Sequence, residues 1–275
     1  MGSLPSLRVT PARAFENSDV DYAGPIMLRT TSVRGHRAYK GYICLFVCMV
    51  TKAVHIEVVS DLTSRGFLEA FKRFVARRGC CLNLHSDNGT NFVGAAKELE
   101  DLFDAEKSSM VKEISDSLAS QGTTWHFIPS RAPKFGGLWE SGIKSTKYHI
   151  KRVIGDSTLT YEEMATLLVQ IESCLNSRPL TMLNNDPEEA SPLTPSHVLI
   201  GEPLVTVPEI NYTEYKMGSL KRWQYNQAML QNFWRRWSNE YLTHLVQRYK
   251  WAHKVPEPKI GDLVLVKEND LPPTK

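Results

Sequence analysis

Three acidic residues in this 275-residue chain stand where a carboxylate could do chemistry: Asp21, Asp87 and Glu140. Asp87 lies in Leu82–Phe92, which reads Leu-Asn-Leu-His-Ser-Asp-Asn-Gly-Thr-Asn-Phe. A short alternating strand ends at this acid, and a helix is expected just beyond Asn88-Gly89. In open α/β sheets, ligands gather at the carboxyl ends of strands. Asn-Gly is also a common turn dipeptide, and Asp and Asn cap their own backbone. Taken alone, the segment reads equally as a turn. Asp21 sits in the first strand and Asp87 ends the fourth. If those strands are neighbours their carboxylates converge, and two anions held together need a cation. A few hard oxygen ligands suit Mg²⁺, which keeps waters and binds substrate phosphates. Glu140 is the best third acid, in the first turn of its helix just past Gly136-Gly137.

The helix carrying Glu140 adds Lys144, Lys147 and Lys151 at i+4, i+7 and i+11, all on the Glu140 side. Between Arg131 and Arg152 there are six Lys/Arg, including Lys134, against the single acid Glu140. A metal ligand followed by a row of cations suits a polyphosphate chain. A solvated charged face with an i,i+4 pair explains the row as well. A second basic stretch, Lys221 to Lys254, has seven Lys/Arg against Glu240, interleaved with Trp223, Trp234, Trp237 and Trp251. It reads as a DNA-contacting arm. The tryptophans, at helical spacing, are assigned to packing, in the core or against a partner helix.

The elements that must position these residues follow from periodicity. Val20–Leu28, Ala38–Val50 and Ala53–Ser60 read as three strands with short links, an antiparallel meander. Thr63 caps a helix with apolar Phe67, Leu68, Phe71, Phe74 and Val75, closed by Gly79. A strand over 81–86 follows, then a charged helical stretch from Phe92 to about Leu118. Next come a short strand, Thr124–Ile128, and a helix, Leu138–Ile154. Thr160 with Glu163 forms a capping box for a helix with Met164, Leu167, Leu168, Ile171 and Leu175 at helical spacing. Residues 178–218 are Pro-rich, with a short helix near Pro195–Ile200. A long helix spans Leu220–Tyr249, and 261–266 is a single strand. The order specifies an α/β fold, a mixed five-stranded sheet flanked by helices, as in the ribonuclease-H-like fold.

Composition sets outer bounds. A net charge of +3 does not by itself announce a nucleic-acid binder. Five cysteines, with no C-x-x-C pair, argue against a disulfide framework, and Cys44 and Cys48 read as buried small hydrophobes. The longest apolar run, Tyr42–Val50, is too short to span a bilayer.

Several segments together resemble the integrase of retrotransposons, most closely the BEL/Pao group of long-terminal-repeat elements. They are Val20-Asp21-Tyr22-Ala23-Gly24-Pro25, Ser86-Asp87-Asn88-Gly89-Thr90-Asn91-Phe92 and Phe135-Gly136-Gly137-Leu138-Trp139-Glu140. To these add Leu175-Asn176-Ser177-Arg178-Pro179-Leu180, Leu193-Thr194-Pro195 and the tail Gly261-Asp262-Leu263-Val264, which looks like the start of an SH3-like domain. The resemblance implies a DDE-type polynucleotidyl transferase. Asp21, Asp87 and Glu140 would be its metal-binding acids, holding two Mg²⁺ with Mn²⁺ as a substitute. Lys144 and Lys147 match positions that contact the element's DNA end, and Lys151, Asn88, Arg131 and Lys134 are further candidate DNA contacts. Implied partners are double-stranded DNA, from element ends and target, and further copies of the chain in a homo-oligomer. No membrane is implied. The expected location is the nucleus, with the cytoplasm before integration.

The expected organisation is an extended lead-in over 1–14, a catalytic core over 15–205, a linker and long helix over 206–255, and the SH3-like start over 256–275. Between Asp87 and Glu140 lie 52 residues, more than in retroviral integrases. With no His-His-Cys-Cys module ahead of the core and the SH3-like domain cut short, the chain is expected to be a piece of a longer polyprotein or a truncated element copy. Two other functions remain open: a non-catalytic DNA-binding or interaction protein derived from such an element, and a ribonuclease-H-like nuclease that only hydrolyses.

Overall fold

The computed structural model describes residues 9–33, 35, 37–87, 113, 114, 116–119, 122–128, 137–180, 192–204, 210–245 and 259, with the backbone alone at 87, 127, 128, 137–143, 244 and 245. The expected strand over 261–266 lies outside them. So does most of the helical stretch from Phe92; residues 113, 114 and 116–119 are helical. The chain divides into two units, Met1–Glu172 and Ser173–Lys275. Among the described residues no helix is long and apolar enough to cross a membrane.

The first unit is built on one mixed sheet. Strands β1 (Asn17–Arg29), β2 (Ala38–Cys48) and β3 (Val54–Val59) form the antiparallel meander. β4 (Asn83–Asp87) adds parallel to β1, and β5 (Thr124–Ile128) parallel to β4. The order is β3-β2-β1-β4-β5, with β1 at the centre. A two-residue strand, β6 (Leu159–Thr160), pairs with the far end of β1 past a bulge between Ala23 and Ile26. Among the described residues the sheet thus has the five expected strands and this short sixth, whose two-residue pairing leaves no alternating pattern to read. β1 also starts earlier than its apolar residues indicate, at Asn17.

One face of the sheet is apolar. It packs on helix α1 (Ser64–Arg78), which follows its signals: Thr63 Oγ1 accepts from Gly66 N at 3.0 Å, and Gly79, at φ +85°, donates back to Val75 O at 2.8 Å. Phe67, Phe71 and Phe74 are buried. Phe74 stacks on Phe46 of β2 at 4.2 Å, and Phe67 on Trp125 of β5 at 5.8 Å. Cys44 and Cys48 are buried free thiols within this core. Helix α2 (Gly137–Ile154) packs on β1, and α3 (Tyr161–Asn176) starts at the Thr160–Glu163 box, where each residue's side chain takes the other's backbone N–H.

The outer strand β3 leaves backbone groups that could pair with another chain. Here side chains take them. Ile56 N donates to Glu172 Oε2 of α3 at 2.8 Å, and Val58 O accepts from Arg73 of α1 at 3.1 Å and Tyr161 Oη at 3.2 Å. The same groups form a buried ion network. Glu57 accepts from His55 at 3.0 Å, Arg73 at 2.7 Å and Arg77 at 2.8 Å, while Glu172 pairs with Arg78 and lies 3.4 Å from His55 Nδ1. Burial pushes the Glu57 carboxyl up, but the bonds from His55 and Arg73 outweigh it and hold its pKa below 4.5. Burial likewise lowers His55, yet hydrogen bonds to Glu172 and Glu57 leave its pKa above 6.5.

The network's contribution is therefore bounded on both sides. The Glu57 part is present above pH 4.5 and lost as pH falls through its lowered folded value. The His55 part is present below pH 6.5 and lost as pH rises through its raised folded value. Glu57→Gln is expected to lower stability by about 2–3 kcal/mol, less than for a fully buried pair because the arginines are partly exposed. Urea unfolding across pH should find the gap between wild type and variant widest between pH 4.5 and 6.5. A gap independent of pH would show that the network carries no net charge coupling.

Candidate active site

Parallel pairing of β1 and β4 runs from Asn17 opposite Asn83 to Val20 opposite Ser86. Continued by one step, that register would set Asp21 opposite Asp87, the last residue of β4. On the other side of β1, Asp21 pairs with Leu45 of β2. Asp21 is thus fixed in the middle of the central strand, while Asp87 is the last residue of β4. Its side chain and Asn88 lie outside the described atoms, as do Arg131 and Lys134.

Both oxygens of the Asp21 carboxylate are engaged. Oδ1 accepts from the Tyr22 backbone N–H at 2.7 Å, and Oδ2 pairs with the ammonium of Lys147 from α2. Each of these two side chains is 24% exposed, so the pair is part-buried and reachable from solvent. Lys144 and Lys151 are exposed. The lysine row is therefore split: two cations face solvent, and the middle one is held by an acid of the same protein. Spacing placed all three on one face, but spacing cannot reveal a partner that a strand distant in sequence supplies.

Glu140 belongs to the first turn of α2, seven residues before Lys147. Seven residues are nearly two full turns, so the two positions share a helix face, separated by about 10 Å of rise. The backbone thus brings Asp21, Asp87 and the helix of Glu140 to one end of the sheet. Among the described residues no group of three possible metal ligands comes together; Asp21 is the one acid of the three whose side chain is described. Its chemistry suits a cation: it is a hard oxygen donor, part-exposed to solvent and now paired with the Lys147 ammonium.

Beneath this level lies a set of polar residues that apolar periodicity passes over. Residues two apart on a strand share a face, so Asn17 and Asp19 lie on the Asp21 side of β1, and Asn83 and His85 on the Asp87 side of β4. Asn83 Nδ2 donates to Asn17 Oδ1 at 2.8 Å, and Asn83 Oδ1 lies 2.9 Å from His126 Nε2 on β5. His126 stacks on His85 at 4.7 Å. Burial, aided by the neighbouring His126, pushes His85 down to about 4, which keeps it neutral near pH 7. The signal was present in Asn17-x-Asp19-x-Asp21 and Asn83-x-His85-x-Asp87 as polar residues at period two. Buried polar residues do not register in a search for alternating apolar ones.

The second unit holds the other motifs of the resemblance. The helix ending at Asn176 leads to Arg178, which donates to Leu175 O at 2.6 Å, and Leu180 N donates to Leu193 O at 2.8 Å. That bond joins the Asn176–Leu180 segment to Leu193-Thr194-Pro195, where helix α4 (Pro195–Ile200) starts. Helix α5 (Arg222–Leu245) buries Phe233 and Trp237. Trp237 stacks on Tyr241 at 4.8 Å, and Tyr241 Oη donates to Pro179 O at 2.7 Å. Packing thus accounts for Trp237 and, half-buried, for Trp234. It does not account for Trp223, which is 60% exposed and meets Tyr212 only edge-on, because it sits in the first turn of α5. Trp251 lies outside the described residues.

In comparisons with known proteins, residues 221–275 match a family model described as a family of unknown function, DUF5641. No curated protein matches the chain significantly. The matched segment begins with α5 and runs through the tail.

The two tryptophans give a direct test of the packing described for α5. Trp237→Ala should destabilise by about 3–5 kcal/mol, the usual cost of emptying a buried aromatic site. Trp223→Ala should stay within about 0.5 kcal/mol. Denaturant melts of both variants check the contrast, and equal losses would contradict it.

Proposed function

We propose that the chain is the catalytic part of a retrotransposon-type integrase, a divalent-metal-dependent polynucleotidyl transferase acting on DNA. The observation that supports this reading is the parallel pairing of β1 and β4 up to Val20 and Ser86, the residues just before Asp21 and Asp87, with the helix of Glu140 packed against β1. A sheet order of β3-β2-β1-β4-β5 with acids on the central pair is consistent with the ribonuclease-H-like arrangement.

Asp21, Asp87 and Glu140 would hold the metal. When bound, two Mg²⁺, or Mn²⁺ in their place, activate an attacking oxygen and stabilise the leaving one during in-line displacement at phosphorus. The chain's own residues supply position and charge. Asp21 is held by backbone pairing on β2 and by the Tyr22 N–H, which fixes the direction of its carboxylate. Lys144 and Lys151 are exposed one helix turn either side of Lys147 and suit contact with a phosphate backbone. The reaction sequence is hydrolysis at the 3′ end of element DNA, then attack of the exposed 3′-hydroxyl on a target phosphodiester. In the second step one phosphodiester bond breaks as another forms, and the displaced 3′-hydroxyl of the target takes a proton. Double-stranded DNA is the substrate, with action in the nucleus and in a homo-oligomer, since two element ends must be joined together.

The test uses duplex oligonucleotides carrying the ends of the element that encodes the chain. Wild type with Mg²⁺ or Mn²⁺ should give strand-transfer products. Asp21→Asn, Asp87→Asn and Glu140→Gln should each lower the rate by at least about a hundredfold, with unchanged unfolding midpoints. Product limited to cleaved DNA or RNA would instead favour a hydrolytic nuclease. Unchanged rates in the variants would remove the site assignment.

A further inference from the structure

A divalent ion ligated by the Asp21 carboxylate would sit beside the Lys147 ammonium that Oδ2 holds, and the two cations repel. They compete for the charge of one carboxylate, whose Oδ1 also accepts the Tyr22 N–H. We propose that Lys147 is a placeholder counter-ion: it neutralises Asp21 in the metal-free protein and is displaced by the incoming metal, which frees it to turn toward a phosphate. This rests on the metal-site reading above, and it assigns Lys147 a positioning role that the lysine row alone did not suggest.

Three observations support the exchange. The pair is accessible, at 24% exposure for each side chain, so neither the metal's approach nor the departure of the lysine requires opening a core. Lys147 lies on α2 between Lys144 and Lys151, both exposed, so a released ammonium joins an existing row of cations. Finally, β1 carries Asp19 two residues before Asp21, buried on the same face, and β4, paired parallel to β1, ends at Asp87. That accumulation of carboxylates needs a positive charge whether or not metal is bound. A lysine supplies it reversibly, since its flexible stem lets the charge swing while its backbone stays in the helix.

The coupling is reciprocal: whatever Lys147 adds to the metal-free state, it takes from apparent metal affinity. For a pair this exposed the effect is about two- to fivefold. The experiment measures binding of Mn²⁺ and Mg²⁺ alone to the full chain, by calorimetry and Mn²⁺ electron spin resonance, for wild type, Lys147→Gln, Lys147→Arg and Asp21→Asn. Lys147→Gln should bind metal about two- to fivefold more tightly, and Lys147→Arg, which keeps the charge, should stay near wild type. In parallel, amine acetylation of wild type is followed by mass spectrometry, with Lys144 and Lys151 as references. Lys147 should react more slowly than they do without metal, and at a rate close to theirs with saturating Mg²⁺. This labelling arm does not depend on any variant folding. Equal or weaker metal binding by Lys147→Gln, or labelling of Lys147 unaffected by Mg²⁺, overturns the placeholder role. If metal binding is absent, or is unchanged in Asp21→Asn, the metal-site reading itself fails and this proposal falls with it. If binding depends on Asp21 but not on Lys147, only the proposal fails.

Discussion

The Asp21–Lys147 ion pair ties helix α2 to the central strand of the sheet. Asp19 and Asp21 lie on one face of β1, and β4, paired parallel to β1 up to Val20 and Ser86, ends one residue later at Asp87. Like charges at strand spacing repel unless a cation or a proton intervenes. A cation paired with Asp21 is the Lys147 ammonium, carried by α2, which packs on β1. The placement of α2 across the sheet is thus tied to the acids as well as to its buried residues Ile150 and Ile154.

The two faces of the sheet divide the work. On the α1 side, Phe46, Phe67, Phe71, Phe74 and Trp125 interlock as stacked and tilted rings, giving a rigid apolar core. On the other side, β1, β4 and β5 carry the Asn17–Asn83–His126 ladder. A polar layer inside a fold costs stability unless each group is bonded. Here it lies directly beneath the site, where it fixes strand register with directional bonds that apolar side chains cannot make. The ion network at β3 does the corresponding work at the opposite edge, where Glu172 and Arg73 occupy the edge strand's backbone groups.

Much of this was legible in the residues. The meander, the caps of α1 and α3, β5 and α4 follow from apolar period and capping chemistry, which are local properties. Thr63 and Gly79 act where local rules put them. Less legible was whatever depends on partners distant in sequence. Asn17 and Asp19 are buried polar residues, so the start of β1 looked like loop. Leu159–Thr160 is too short to have a period. The row Lys144, Lys147, Lys151 has a face but no address: only the fold sets Lys147 against Asp21, 126 positions away. Trp223 has the spacing of a core residue on α5 but lies in its first turn, beyond what the helix covers.

The three acids also differ in how firmly the fold holds them. Asp21 lies mid-strand, paired on β2 and flanked by β4, so its backbone has neighbours on both sides. Asp87 is the last residue of β4, and Glu140 belongs to the first turn of α2. Strand ends and first turns have fewer backbone bonds than strand centres, and helix starts leave N–H groups without intrahelical partners. In the proposed site, one central and two terminal positions would give a fixed reference point and two adjustable ones. Divalent ions demand defined geometry, and a ligand at an element's end can meet that demand with a small local change, while the central strand, bonded on both sides, stays in place. Lys147 belongs to this scheme because it pairs with the acid on the central strand.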